Sequence, residues 1–276
     1  MHQISRTPFF ACFALLFVLT SCTTSPTAQQ NEKREHIPVA VSSVLDGVPY
    51  RIDIPENWNG RLLMLLHGYE PKGVPRQEQW PQNEATPVFL ARGYAVAASA
   101  YSTQGWSVAE AIPENERLRS FFTDTYGKPA RTYVVGFSLG SHIALASMEQ
   151  QGQKYDGALA FCGANMPAAE VFSDGIVTPL VAFDYFFPKN MPELLDPASP
   201  AMIDPSAIEA ALKTDEAKAA LLADRLEIPR PALAGALMLN YMILREAQHR
   251  AGGHPVDNRN TRYSGFGDDE AFNKGV

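Results

Sequence analysis

Residues 132–148 read TYVVGFSLGSHIALASM, and the architecture can be worked out from them. Thr132, Tyr133, Val134 and Val135 suit a buried strand. They run into Gly136-Phe137-Ser138-Leu139-Gly140, and Ile143, Ala144, Leu145 and Met148 then recur at helical spacing. A strand, a serine flanked by glycines two positions to either side, and a helix together make a nucleophile elbow. A serine held on so sharp a turn crowds the backbone around it, and Gly136 and Gly140 supply the missing space. The helix starting at the serine aims its free N–H groups and the positive end of its dipole at any developing oxyanion, which makes the Leu139 N–H the first oxyanion donor.

The rest of the chain sets the bounds. Its 276 residues, 46% of them hydrophobic, are enough for one domain of ordinary size with a substantial core. The net charge of −7 leaves no electrostatic footprint for a nucleic-acid partner. The three cysteines, Cys12, Cys22 and Cys162, lie in unrelated contexts, so no disulfide framework is expected. Cys162 reads as a small buried hydrophobe at a strand end. Neither a metal nor an organic cofactor is implied, and the oligomeric state is left open.

The N-terminus is an address. One positive charge precedes an uninterrupted apolar run at 9–19, the length of a signal-peptide core and too short to span a bilayer. It ends in Leu19-Thr20-Ser21-Cys22, which resembles the lipobox of bacterial lipoproteins. That resemblance implies removal of residues 1–21, lipidation of Cys22 and anchoring to the membrane of the bacterial envelope. A plain secretory signal is the alternative. Thr23, rather than Asp, follows the cysteine, and this favours the outer membrane over the inner. Residues 22–36 are polar and Pro-broken and read as a tether.

Ahead of the elbow, residues 48–54 alternate as an outer strand, and 61–66 (RLLMLL) form an apolar run expected of a strand buried on both faces. His67-Gly68-Tyr69 follows directly. Helix at 85–91, strand at 94–100, helix at about 107–126, the elbow, and a strand at 155–162 continue the alternation of a mainly parallel, doubly wound α/β sheet. A strand ending in His-Gly ahead of G-x-S-x-G resembles the α/β-hydrolases, over 50–165. By that resemblance the loop after this strand supplies the second oxyanion donor, assigned to the Tyr69 N–H, with Gly68 permitting the close approach. The Tyr69 phenol either adds a donor or packs on substrate. His67 precedes the serine and is expected to shape the loop; His142 is expected to be a satisfied inner histidine.

From residue 166 the alternation stops. A stretch rich in proline and aromatics leads into a helix expected at 206–226, then a second from Pro231 to about Arg250 that ends at Gly252-Gly253. The excursion, 166–256, reads as a helical cap or lid inserted after the sixth strand, or as a helical insertion with no gating role. Residues 257–276 form a polar tail and an interrupted element: a helix start with Gly267, Asp268 or Asp269 as N-cap and Glu270 in the first turn.

The hydrolase resemblance also calls for two more strands, one carrying a catalytic acid and one a histidine, and neither is found after residue 165. Serine activation needs such a base. His254 with Asp174 or Asp184 would satisfy the required order. The other expectation is that the sequence is a shortened form, with its acid and histidine beyond Val276. The layout resembles secreted or lipid-anchored bacterial esterases and prolyl oligopeptidase-like hydrolases. The resulting expectation is a serine hydrolase of a small-molecule carboxylic ester or amide, with esters favoured. The alternative is an inactive or weakly active hydrolase fold that at most binds a ligand.

Overall fold

In the computed structural model, residues 37–76 and 83–276 are described. Cys22, the apolar run before it and the tether lie outside them. The first strand, β1 (Val39–Leu45), is followed by β2 (Val48–Ile54), and the two pair antiparallel across Asp46 and Gly47. Both turn residues have positive φ, 50° and 82°. This is the two-residue Asp-Gly turn whose twist matches that of a hairpin. The sequence reading placed no strand at 39–45, because its outer side chains are exposed and carry little periodicity.

Next come β3 (Arg61–Leu66), α1 (Thr86–Ala91), β4 (Ala95–Ser99), α2 (Val108–Tyr126), β5 (Arg131–Phe137), α3 (Leu139–Gln151) and β6 (Gly157–Phe161). The sheet order is β1-β2-β4-β3-β5-β6, with β4, β3, β5 and β6 parallel and β2 antiparallel to β4. Alternation along each strand separates two faces. Leu62, Met64, Leu66 and Val134 pack with Phe122 of α2 and Ile143 of α3. Leu63, Leu65, Val96 and Val135 face the other way, toward Phe89 and Leu90 of α1. That second cover is short, and Leu159 and Phe161 of β6 stay 47% and 37% exposed.

After β6 the chain builds a helical layer: α4 (Ala168–Glu170), a π-helical turn (Val171–Val177), α5 (Thr178–Phe186), α6 (Pro205–Leu212), α7 (Glu216–Arg225), α8 (Leu233–Ala251) and α9 (Asp269–Gly275). Its core is its own, centred on Leu180, Phe183, Leu212, Leu237 and Tyr241. The single helix expected at 206–226 is two. Asp215 caps α7 by accepting the Lys218 N–H at 3.1 Å, and the Thr214 hydroxyl donates back to the Ala211 carbonyl at 2.6 Å, closing α6. Helix α8 stops where Gly252 adopts the left-handed conformation, φ 67°. Of the three N-cap positions open from sequence, Gly267, Asp268 and Asp269, it is Asp268 that caps α9, its carboxylate accepting the Ala271 N–H. Tyr263, Phe266 and Phe272 pin the tail into the same apolar cluster. Among the described residues no strand follows β6 in sequence, and no helix is long and apolar enough to cross a membrane.

Candidate functional site

The carboxyl ends of β4, β3, β5 and β6 lie along one edge of the sheet, the edge at which open α/β sheets take ligands. At three of these ends a residue one or two positions beyond the strand is forced into positive φ: Tyr101 (55°), Ser138 (53°) and Cys162 (49°). Side chains with a Cβ avoid that region, so the surrounding packing has to hold them there.

Ser138 caps α3 with ψ −121° and stands exposed above the turn. The crowding predicted from sequence is present. A Cβ on Gly136 would run into the Gly140 carbonyl, and one on Gly140 would lie 2.7 Å from the His67 carbonyl and closer still to that of Leu66. The loop after β3 is pressed against the serine from the other side. A Cβ on Gly68 would sit 3.1 Å from Ser138 Cβ and 3.6 Å from its Oγ. A strained serine between strand and helix, with the β3 loop against it, on a sheet of this order, decides the architecture.

The chain has the α/β-hydrolase fold.

No family model matches the chain. Over 126 residues it is 31% identical to the o-phthalyl amidase of Xanthobacter agilis, a match covering 44% of this chain and 26% of that protein. The chain therefore spans about a quarter of the length of that relative. Among solved structures, a carboxyl esterase from Bacillus coagulans superposes with a TM-score of 0.38 at 14% identity, covering 77% of this chain and 73% of that one. An esterase from Pyrococcus furiosus gives 0.38 at 20%, covering 51% and 56%. The fold assignment rests on the strand order and elbow of this chain.

Within the hydrolase fold, the β3 loop is braced by residues far away in sequence. The His67 ring stacks on Tyr101 with centroids 4.0 Å apart, and the Tyr101 phenol donates to the His67 carbonyl at 3.3 Å. His67 Nδ1 lies 2.8 Å from the Gly68 carbonyl oxygen. Burial holds the imidazole below its ordinary pKa. This is the loop-shaping geometry expected of His67. Further along, Arg76 forks onto Glu70, and the Gly105 N–H donates to the Glu70 carbonyl at 2.8 Å. Burial first, and the nearby Glu246 second, push the Tyr69 phenol well above its usual pKa, so the hydroxyl keeps its proton.

Glu246 of α8 was not singled out in sequence, being one acid on an amphipathic helix. Its side chain is only 5% exposed. It accepts the Trp106 N–H at 3.0 Å and Arg250 Nε at 3.1 Å, and Lys72 Nζ stands 3.6 Å away. Trp106 in turn packs edge-on against Phe172, at 4.8 Å, and near His142, at 5.6 Å. His142 Nδ1 is satisfied by the Ala164 carbonyl at 2.9 Å. Gly163 is a further elbow glycine that the sequence reading missed: a Cβ there would collide with Ser141 and stand 2.8 Å from the Ser138 carbonyl.

Three expectations do not meet at the serine. His254 is exposed at the end of α8, with Nε2 3.2 Å from Gln248 Nε2. Asp174 is exposed on the π-helical turn beside Ser173, and Asp184 lines a separate cavity of about 560 Å³ with Tyr185 and Arg259. Among the described residues none of them is hydrogen-bonded to Ser138. Cys162 also differs from its expected burial. It is exposed, since it lies just past the end of the edge strand β6. Among the described residues no group of three or more His, Cys, Asp or Glu gathers to hold a metal ion.

Proposed function

We propose that this chain is the core of a serine hydrolase acting on a carboxylic ester or amide. Ser138 Oγ attacks the carbonyl carbon, and the N–H groups of Leu139 and Tyr69 hold the oxyanion of the tetrahedral intermediate. The observation that carries this reading is the strained φ of Ser138 with the Gly68 backbone against it. The β3 loop is braced by the His67–Tyr101 stack, so its donors need little reorganisation when charge develops. Because the Xanthobacter relative is an amidase by name, amides stand beside esters as substrates. Residues 166–256 cap this edge and Cys22 tethers the protein to the outer membrane.

The attack releases the Oγ proton, which needs a base. Fluorophosphonate labelling of wild type and Ser138→Ala tests the reading. Labelling of wild type alone, with turnover of a p-nitrophenyl ester or an anilide, is the expected result.

A second reading is favoured by the lack, among the described residues, of any hydrogen bond to the Ser138 hydroxyl. In this reading the chain is a weak or inactive hydrolase fold that binds a ligand, and only residual rates remain, of order 10³- to 10⁴-fold over water. Absence of labelling in both proteins selects it. Cys22 lipidation is tested separately, by incorporation of labelled palmitate that is lost in Cys22→Ser.

A further inference from the structure

Beside the β3 loop a cleft of about 470 Å³ opens between Tyr69 and Lys72 on one side and Met202, Met242 and Arg245 on the other. Arg245 belongs to α8 and is partly buried. Its guanidinium bonds only neutral acceptors: Gln248 Oε1 at 2.7 Å and the Pro197 and Ser199 carbonyls at 3.0 and 2.9 Å. Its Nε is buried with no hydrogen-bond partner. A partly buried cation with neither a counter-charge nor a full set of acceptors is unfavourable unless an anion meets it.

Lys72, across the cleft, is half exposed, and the acid nearest it is Glu246 at 3.6 Å. Glu246 is already engaged by Arg250, which also pairs with Glu110. Among the charged side chains lining the cleft, Lys72 and Arg245 thus outnumber the one carboxylate, Glu246, whose charge is shared between Lys72 and Arg250. This surplus of positive charge sits in a protein whose net charge is −7. The methionines and the Tyr69 ring give the same cleft an apolar wall.

We infer that this cleft binds a carboxylate with a small apolar body, held by Arg245 and Lys72 and packed against Met202, Met242 and Tyr69. Resting on the hydrolase reading, it selects substrates that carry a free carboxylate in addition to the scissile carbonyl. A half-ester or half-amide of a dicarboxylic acid has that form. The step itself is unchanged: the acyl–oxygen or acyl–nitrogen bond breaks, and the second carboxylate only positions the acyl group.

The test is calorimetric titration of Ser138→Ala with benzoate and with its neutral isostere benzamide, so that turnover plays no part. Benzoate is expected to bind about five- to tenfold more tightly than benzamide and to weaken as salt rises. Lys72→Met and Arg245→Met should each remove the preference. Because Arg245 also holds the 197–199 loop, Met202→Glu is the companion variant. Met202 is 59% exposed, so the fold tolerates the change, and an acid at the cleft mouth should repel benzoate. Equal binding of the two probes, no binding of either, or a preference untouched by Lys72→Met and Met202→Glu overturns the inference. Where wild type turns over esters, the half-ester of a dicarboxylic acid should show a lower KM than its neutral diester. A failure of the hydrolase reading leaves the benzoate titration intact, so the two are separable.

Discussion

Gly68 and Ser138 touch: a Cβ on Gly68 would stand 3.1 Å from Ser138 Cβ and 3.3 Å from the Phe137 carbonyl oxygen. That contact joins the β3 loop to the elbow. Gly68→Ala needs a shift of only a few tenths of an ångström, costing about 1–3 kcal/mol of stability. The Tyr69 N–H is moved in the process. The expected outcome is a loss of fluorophosphonate labelling rate of about tenfold or more, in a protein whose denaturant midpoint falls only modestly.

Gly163 should be less forgiving. Any side chain there drives into Ser141, whose hydroxyl is 3.0 Å from the Gly136 carbonyl and 2.6 Å from that of Phe161. Gly163→Ala is expected to reduce both stability and labelling. Ser141→Ala, which keeps the space but leaves buried carbonyls short of a donor, should cost about 1–3 kcal/mol in equilibrium unfolding.

Glu246 ties α8 to the loops on either side of the site. Glu246→Ala leaves Arg250 and the Trp106 N–H short of their partner and is expected to cost about 3–5 kcal/mol. Glu246→Gln retains an acceptor for Trp106 and should cost less. Comparing their thermal midpoints separates the backbone hydrogen bond from the ion pair.

Stability should fall with acid in two stages. Burial holds His67 below its ordinary value of 6.5, with Glu70 and Arg76 also acting on it. The unfolded chain therefore takes up that proton more readily. This contribution is complete above about pH 6.5 and is lost as pH falls toward the folded value. Glu70 and Glu116 follow. Burial opposes ionisation of each, yet polar partners outweigh it: Arg76 and Gln104 hydrogen-bonded to Glu70, and the nearby Tyr155 phenol with the Lys154 and Arg119 cations around Glu116. Their folded values lie below the ordinary 4.5, so their contribution is complete above that pH and lost as pH falls through the folded values. Denaturant midpoints measured from pH 8 to 3 should decline first below about 6.5, and His67→Asn should flatten that first limb.

The edge strand β6 pairs on one side only among the described residues, and its Leu159 and Phe161 side chains are exposed. Edges of this kind invite self-association. Leu159→Lys is expected to reduce concentration-dependent light scattering at a stability cost below about 1 kcal/mol. Unchanged scattering would show that another surface drives association.

Features that depend on neighbours in the chain were readable from the residues alone. The β-branched run into Gly-Phe-Ser-Leu-Gly dictates strand, turn and helix, because the steric demands of the elbow act within a few residues of Ser138. The apolar run RLLMLL and the His-Gly-Tyr after it were legible for the same reason. The short hairpin strand at 39–45 escaped notice because its periodicity is weak, although the Asp46-Gly47 turn was its signal.

Features that depend on distant partners emerge only once the chain is folded. Gly163 is an elbow glycine because Ser141 lies against it, and Glu246 matters because Trp106, 140 positions away, donates to it. His254, Asp174 and Asp184 satisfy the chain order of a triad, but chain order does not place side chains. Among the described residues each of the three has surroundings of its own in the helical layer and none is hydrogen-bonded to the serine, while the same layer leaves Arg245 beside the β3 loop with no ion-pair partner.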